Sequence, residues 1–355
     1  MRNLKKGTTA LLALTVVGAG MLANAGIVAA QDDELIVGVS WNNFQEPRWA
    51  SFDEPAIKAA LDAAGATYIS TDAGSSAEQQ LADVEQLISQ GADALIILAQ
   101  DGTAILPAVQ SALDQGIPVI SYDRLIENAG SLYITFDNIG VGRIMAEILF
   151  PVVPTGNYAI IKGNQADANA DFLRAGMEEV IGEAVAAGDI VIQCETYTDN
   201  WDPANAQANM EQCLTSTNNE IDAVLSENDS MAGGVVAALD AQGLAGIVPV
   251  TGQDGDRDAL NRVALGTQLV SVWKDGRNLG KVAGEAAVAL AGGAALADVP
   301  GVVQFTSPGG NDLTSIFLDP TPVVQDNLQD VLDAGVLTQE ELCQGVEAGS
   351  VAACP

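Results

Sequence analysis

The 355-residue chain contains no histidine, four cysteines and 5% aromatic residues. Without an imidazole there is no Ser-His-Asp or Cys-His catalysis and no histidine proton shuttle. No Cys-x-x-Cys spacing occurs either, and with histidine also missing, the sequence offers no structural zinc site. Cations are scarce: 14 Lys and Arg face 47 Asp and Glu, a net charge of −33, and Arg2, Lys5 and Lys6 fall within the first thirty residues. Such a balance argues against nucleic acid or anionic lipid as a partner. It fits a solvated acidic surface that keeps the protein soluble. Beyond residue 30, no apolar run is long and charge-free enough to span a bilayer.

Residues 1–30 read as a signal peptide: a basic start, an apolar stretch through Leu22, and Val28-Ala29-Ala30 as small residues before cleavage. An uncleaved anchor is the rival reading of the same segment. Export to the periplasm or the extracellular space follows, and in an oxidising compartment the cysteines are expected to pair locally, Cys194 with Cys213 and Cys343 with Cys354. Asp254, Asp256 and Asp258 imitate the start of a calcium loop, but Ala259 stands where that loop needs Gly and no Glu closes it. No metal and no cofactor is expected.

Short Val- and Ile-rich runs alternate with longer amphipathic stretches. Strands are predicted near 35–40, 67–71, 94–99, 118–122 and 132–136, with helices near 49–64, 77–90 and 103–115. A second series after Pro154 places strands near 157–162, 190–197, 222–227, 248–252 and 269–273, with helices near 170–186, 203–216, 230–242 and 277–291. The segment Pro300–Pro322 breaks this rhythm with Ser307-Pro308-Gly309-Gly310 and a short run at 314–318, before a last helix near 325–334. Strand-helix-strand repeats build parallel sheets covered on both faces, so the expectation is an α/β protein of two doubly wound lobes.

Seven polar and aromatic clusters stand where predicted strands run out: Arg48-Trp49, Asp123-Arg124, Asp167 with Asn169, Trp201, Asn228, Asp254 and Lys274. In open parallel sheets, ligands settle beyond the carboxyl ends of the strands, so the clusters point to one shared site. Their chemistry suits a monosaccharide, whose hydroxyls pair with Asp, Asn and Arg while its C–H faces lie against an indole. Each cluster alone has a plainer reading: Asp123 and Asp254 as turn or helix-capping residues, Trp49 as core, Trp201 as a surface anchor, and Lys274 and Arg124 as interlobe salt bridges. An exported carbohydrate-active enzyme using Asp123, Asp167 or Asp254 as acid and base is the competing function. Against it, neighbouring Arg and Lys are expected to keep those carboxylates ionised.

In order and spacing, Arg48-Trp49, Gly116-Ile117-Pro118-Val119, Tyr122-Asp123-Arg124, Phe136-Asp137-Asn138, Gly156-Asn157-Tyr158, Asp167 with Asn169, Asp199-Asn200-Trp201, Asn228-Asp229, Gly252-Gln253-Asp254 and Trp273-Lys274 resemble the D-xylose-binding branch of the periplasmic sugar-binding proteins of bacterial ABC importers. The resemblance implies a type I periplasmic binding protein fold, with three crossover segments near 138–141, 274–277 and 311–315. The lobes would then comprise residues 31–140 plus 275–313 and residues 141–274 plus 314–355. It implies a substrate site of Arg48, Trp49, Asp123 and Arg124 on the first lobe, Asp167, Asn169, Trp201, Asn228 and Asp254 on the second, and Lys274 at a crossover. It further implies a monomeric, non-catalytic receptor that hands a sugar to a membrane permease driven by an ATPase, with glucose, ribose or arabinose as alternative ligands. Pro47 replaces the acidic residue usual before the Arg-Trp pair, with Glu46 one place earlier, and Ala168 stands where Asn is frequent.

Overall fold

A computed structural model describes residues 34–355; the leader expected at 1–30 lies outside them. The first lobe runs β1 (Ile36–Trp41), α1 (Glu54–Ala63), β2 (Thr67–Asp72), α2 (Ala77–Ser89), β3 (Ala94–Ile97), α3 (Leu106–Asp114), β4 (Val119–Tyr122) and β5 (Leu132–Phe136). The second follows as α4 (Asn138–Leu149), β6 (Gly156–Lys162), α5 (Ala168–Ala187), β7 (Ile190–Tyr197), α6 (Pro203–Ser216), β8 (Ala223–Ser226), α7 (Asp229–Asp240), β9 (Thr251–Asp254), α8 (Arg257–Leu265) and β10 (Val270–Trp273). The chain then returns through α9 (Gly276–Ala291), β11 (Val303–Thr306) and β12 (Asp312–Leu318), and closes with β13 (Thr321–Val323), α10 (Leu328–Asp333) and α11 (Gln339–Leu342).

The first sheet has seven strands in the order β11-β12-β5-β4-β3-β1-β2, parallel except for the β11–β12 hairpin. Strands such as β3 and β4 are buried throughout because helices cover both faces, which is why they read as unbroken apolar runs. One face packs on α1 and α9 through Ile57, Leu61, Leu279 and Ala283. The other packs on α2 and α3 through Val84, Leu87 and Val109. In the second lobe, the parallel ribbon β7-β6-β8 continues into β9-β10-β13 through a single bridge, Val224 to Val250. Helices α4 to α7 bury Met145, Leu173, Met177, Met210 and Val235 against it. Both expected disulfides are formed, Cys194–Cys213 tying β7 to α6 and Cys343–Cys354 closing the carboxyl end.

The chain passes between lobes after Phe136, where Asp137 caps α4, and again between Trp273 and Gly276. The third passage differs from the expectation near 311–315. All of β12 pairs with β5 in the first sheet, from Thr314 opposite Leu132 to Leu318 opposite Phe136, so the chain changes lobe between Leu318 and Thr321. The Ser307–Gly310 turn that suggested a crossover is instead the bend of the β11–β12 hairpin, closed by Ser307 N–H donating to the Asn311 carbonyl. The apolar run at 314–318 is therefore a strand of the first sheet, and the expected division at residue 313 falls inside it.

Candidate functional site

Strand ends deliver the side chains. Residues 123 and 124 follow β4, 167 and 169 open α5 after β6, 228 caps α7 after β8, 254 ends β9 and 274 follows β10. Nine of the ten expected residues line one interlobe cleft, together with Glu46 and Gln253. Arg48 stands just behind it, 1% exposed.

Backbone geometry aims several of these groups. In a strand, successive side chains point to opposite faces. Asp123 (φ 60°) and Asp254 (φ 102°) leave the β region at the last step, and in consequence the pairs Asp123-Arg124 and Gln253-Asp254 both reach the cavity. Asn200 and Trp201 also have positive φ, 57° and 56°. Positive φ in bulky or charged residues costs free energy and is concentrated where function requires it. Trp201 lies so close over Gly163 that a Cβ there would stand 2.1 Å from the indole, so only glycine fits.

Charges are paired across the cleft. The Arg48 guanidinium donates Nε and Nη2 to Asp53 (3.1 and 2.8 Å), and its Nη1 lies 3.3 Å from both Asp123 and Asp254. It also stacks over Trp49, 4.4 Å from the ring centroid. Arg124 meets Asp167 at 2.9 Å and Glu46 at 3.3 Å. The Trp49 indole N–H donates to Glu46 at 2.9 Å, and that of Trp201 to Asp167 at 3.2 Å. Asn169 donates to the Asp123 carbonyl and accepts from Asn138, so a first-crossover residue orients it. Asp167 and Asn228 cap their helices, and the same residues line the cavity.

Burial changes the acid–base character of the site. It raises the carboxyls of Glu46 and Asp167 above the ordinary range, with Arg124 opposing in each case. For Asp167 the water removed on burial outweighs the pull of the neighbouring cations. Burial likewise lowers the Lys274 ammonium, against the pull of Asp123 and Asp254. Among the described residues, no hydrogen bond or ion pair of Lys274 Nζ is formed.

Glu46 takes the place of the acid missing at position 47. A five-residue π-helical turn, Trp49–Asp53, directly follows Arg48 and folds the indole back onto Glu46 three residues earlier. Gln253 was signalled only by adjacency to Asp254, and Gly163 by nothing local. Among the described residues, no group of three or more acidic or cysteine side chains is placed to hold a metal ion.

The sequence matches the periplasmic binding protein domain over residues 37–295. It is 36% identical over 317 residues to the D-xylose-binding periplasmic protein of Escherichia coli K12, covering 89% of this chain and 94% of that one. The multiple sugar-binding periplasmic receptor of Rhizobium radiobacter is 30% identical, covering 93% of this chain and 97% of the relative. Among solved structures, a carbohydrate transporter solute-binding protein of Chloroflexus aurantiacus in complex with D-glucose superposes with a TM-score of 0.78 at 30% identity, over 87% of this chain and 98% of that one. Fold and sequence agree, and the chain belongs to the periplasmic binding protein family.

Proposed function

We propose that this protein is an exported, non-catalytic receptor that closes around one monosaccharide, D-xylose foremost, and delivers it to the permease of an ABC importer with its ATPase. The observation that carries the reading is convergence. Side chains from residue 46 to residue 274 line one small interlobe cavity in which charged groups of both lobes and two buried indoles meet. Each lobe holds part of the polar complement, so a sugar binds the closed form better than the open one and shifts the population toward it. The pairs Arg48–Asp254 and Arg124–Asp167, each joining charges of the two lobes, support this reading.

The preference for xylose rests on similarity to D-xylose-binding periplasmic proteins of Escherichia coli and Haemophilus influenzae, at 36% and 32% identity. A broader aldose receptor is the second reading, favoured by the likeness to solute-binding proteins solved with glucose at 28% and 30% identity. The periplasmic or extracellular location and the monomeric state belong to the same proposal. Titration calorimetry with xylose, glucose, ribose, arabinose and galactose separates the readings. Micromolar or tighter binding of xylose, at least about tenfold tighter than the others (~1.4 kcal/mol), is the expected result. Equal binding of several aldoses selects the broader receptor, and heat from none removes the sugar reading.

A further inference from the structure

The carboxamides that line the cavity are not equivalent. Asn169 is occupied on both sides, its Nδ2 donating to Asp123 and its Oδ1 accepting from Asn138. Asn228 spends its carbonyl on the Met231 N–H as a helix cap. Gln253 is 3% exposed, and its Oε1 has no hydrogen-bond partner. Its side chain donates to no protein group either, among the described residues. A buried amide without a partner is costly, so its persistence in a cavity wall points to a group supplied from outside the protein.

The surroundings define that group. Gln253 lies beside Asp254 on β9 and opposite Val272 of β10, whose next residues are Trp273 and Lys274. Lys274 brings an ammonium with no protein acceptor, and Asn228 retains its amide N–H2. Of the acids lining the cavity, Glu46 and Asp167 are already engaged by Arg124 and the two indoles. The cavity thus has polar groups that satisfy one another and polar groups that do not. A carboxamide can donate and accept at once, as can each hydroxyl of a sugar.

We propose that Gln253 contacts the ligand directly and determines specificity, reading the configuration at one ring carbon by a hydrogen bond to its hydroxyl. This rests on the reading of the site as a monosaccharide pocket and deepens it. Directional pairing discriminates far more sharply than apolar fit, because an epimer leaves both the amide and the relocated hydroxyl unpaired.

The experiment is calorimetry with wild type, Gln253→Ala and Gln253→Glu against D-xylose and its epimers at C2, C3 and C4, namely D-lyxose, D-ribose and L-arabinose. Thermal melting of each protein accompanies it. The expected result is a loss of about 10- to 100-fold in xylose affinity, with preference over one epimer collapsing and preference over the other two retained. Gln253→Glu preserves shape, so it carries the test if the alanine variant does not fold. Unchanged xylose affinity, or the same loss for every pentose, overturns the assignment while leaving a sugar receptor intact. Failure of wild type to bind any of the four overturns the pentose reading and this inference with it, whether or not glucose or galactose binds.

Discussion

Arg48 is the residue on which the closed site turns. Burial alone would lower its pKa, but Asp53, Asp123 and Asp254 outweigh that and raise it well above the ordinary value. The guanidinium serves three carboxylates and an indole at once, a geometry no ammonium reproduces. Arg48→Ala should therefore destabilise the fold by about 3–5 kcal/mol, because it leaves buried charge uncompensated. Arg48→Lys should recover only part of that, and urea unfolding monitored by circular dichroism measures both; losses within about 0.5 kcal/mol would show the pairs to be dispensable. Two of the three carboxylates around Arg48 were legible in the sequence because Asp123 and Asp254 end apolar runs; Asp53, within the stretch read as a helix over 49–64, was not. Glu46 was less so, since its role depends on a π-helical turn that brings Trp49 back three residues. Gln253 was hidden by strand alternation, which assigns neighbours to opposite faces, and only the positive φ of Asp254 overrides that assignment.

At the scale of elements, a chain of amides links the lobes outside the cavity wall. Gln80 on α2 donates to Ser40 of β1 and to the Leu98 carbonyl, and accepts from the Gln100 backbone. The Gln100 side chain then donates to Asn200 at 2.8 Å. Asn200 belongs to the short helical turn of the second lobe that presents Trp201. The contact forms only when the lobes meet, so it favours the closed form without touching ligand. Gln100→Ala should weaken sugar affinity by roughly 3- to 10-fold, the worth of about one hydrogen bond, and leave the order of preference among sugars unchanged. Calorimetry over the same sugar panel checks this, and a reordered preference would place Gln100 in the pocket instead. The element map itself was largely readable, because parallel strands appear as short Val and Ile runs and most helices are amphipathic. Helices α4 and α8 were not anticipated. Helix α4 begins inside the stretch assigned to the first crossover, 138–141, so its first turn was read as a connection. The short α8 starts inside the Asp-rich stretch that imitates a calcium loop. Hairpin β11–β12 was misplaced for another reason: a Pro-Gly-Gly bend looks the same within a sheet and between lobes.

For the whole molecule, pH acts through two sets of acids of opposite accessibility. The surface carries the net charge of −33, whose self-repulsion grows as carboxyls ionise and is screened by salt. Inside the second lobe, burial raises Glu227 and Asp256 well above their ordinary values and Asp229 to about 7. Asp229 accepts from the N–H groups of Gly255 and Asp256, from Ser271 and from Gln268, whereas Asp256 Oδ1 has no partner. The hydrogen bonds favour charge on Asp229, whereas Asp256, which accepts only from Ser230, is left closer to its neutral form. A carboxyl with a raised folded-state pKa binds more protons in the native protein than in the unfolded one, so stability must fall as pH rises. The contribution is fully present below the ordinary values, 3.8 for aspartate and 4.5 for glutamate, and is lost as pH rises through about 7 for Asp229 and through the raised values of the other two. Each tenfold difference in proton affinity corresponds to about 1.4 kcal/mol. Urea denaturation across this range should show stability decreasing with pH at high salt as well as low. The double variant Glu227→Gln, Asp256→Asn should flatten the high-salt slope while leaving the salt-sensitive part in place. If salt alone abolishes the slope, surface repulsion accounts for the whole effect and the buried acids do not titrate with folding. If the slope survives salt and disappears in the variant, the second lobe retains protons that the unfolded chain releases, and its stability is set from within.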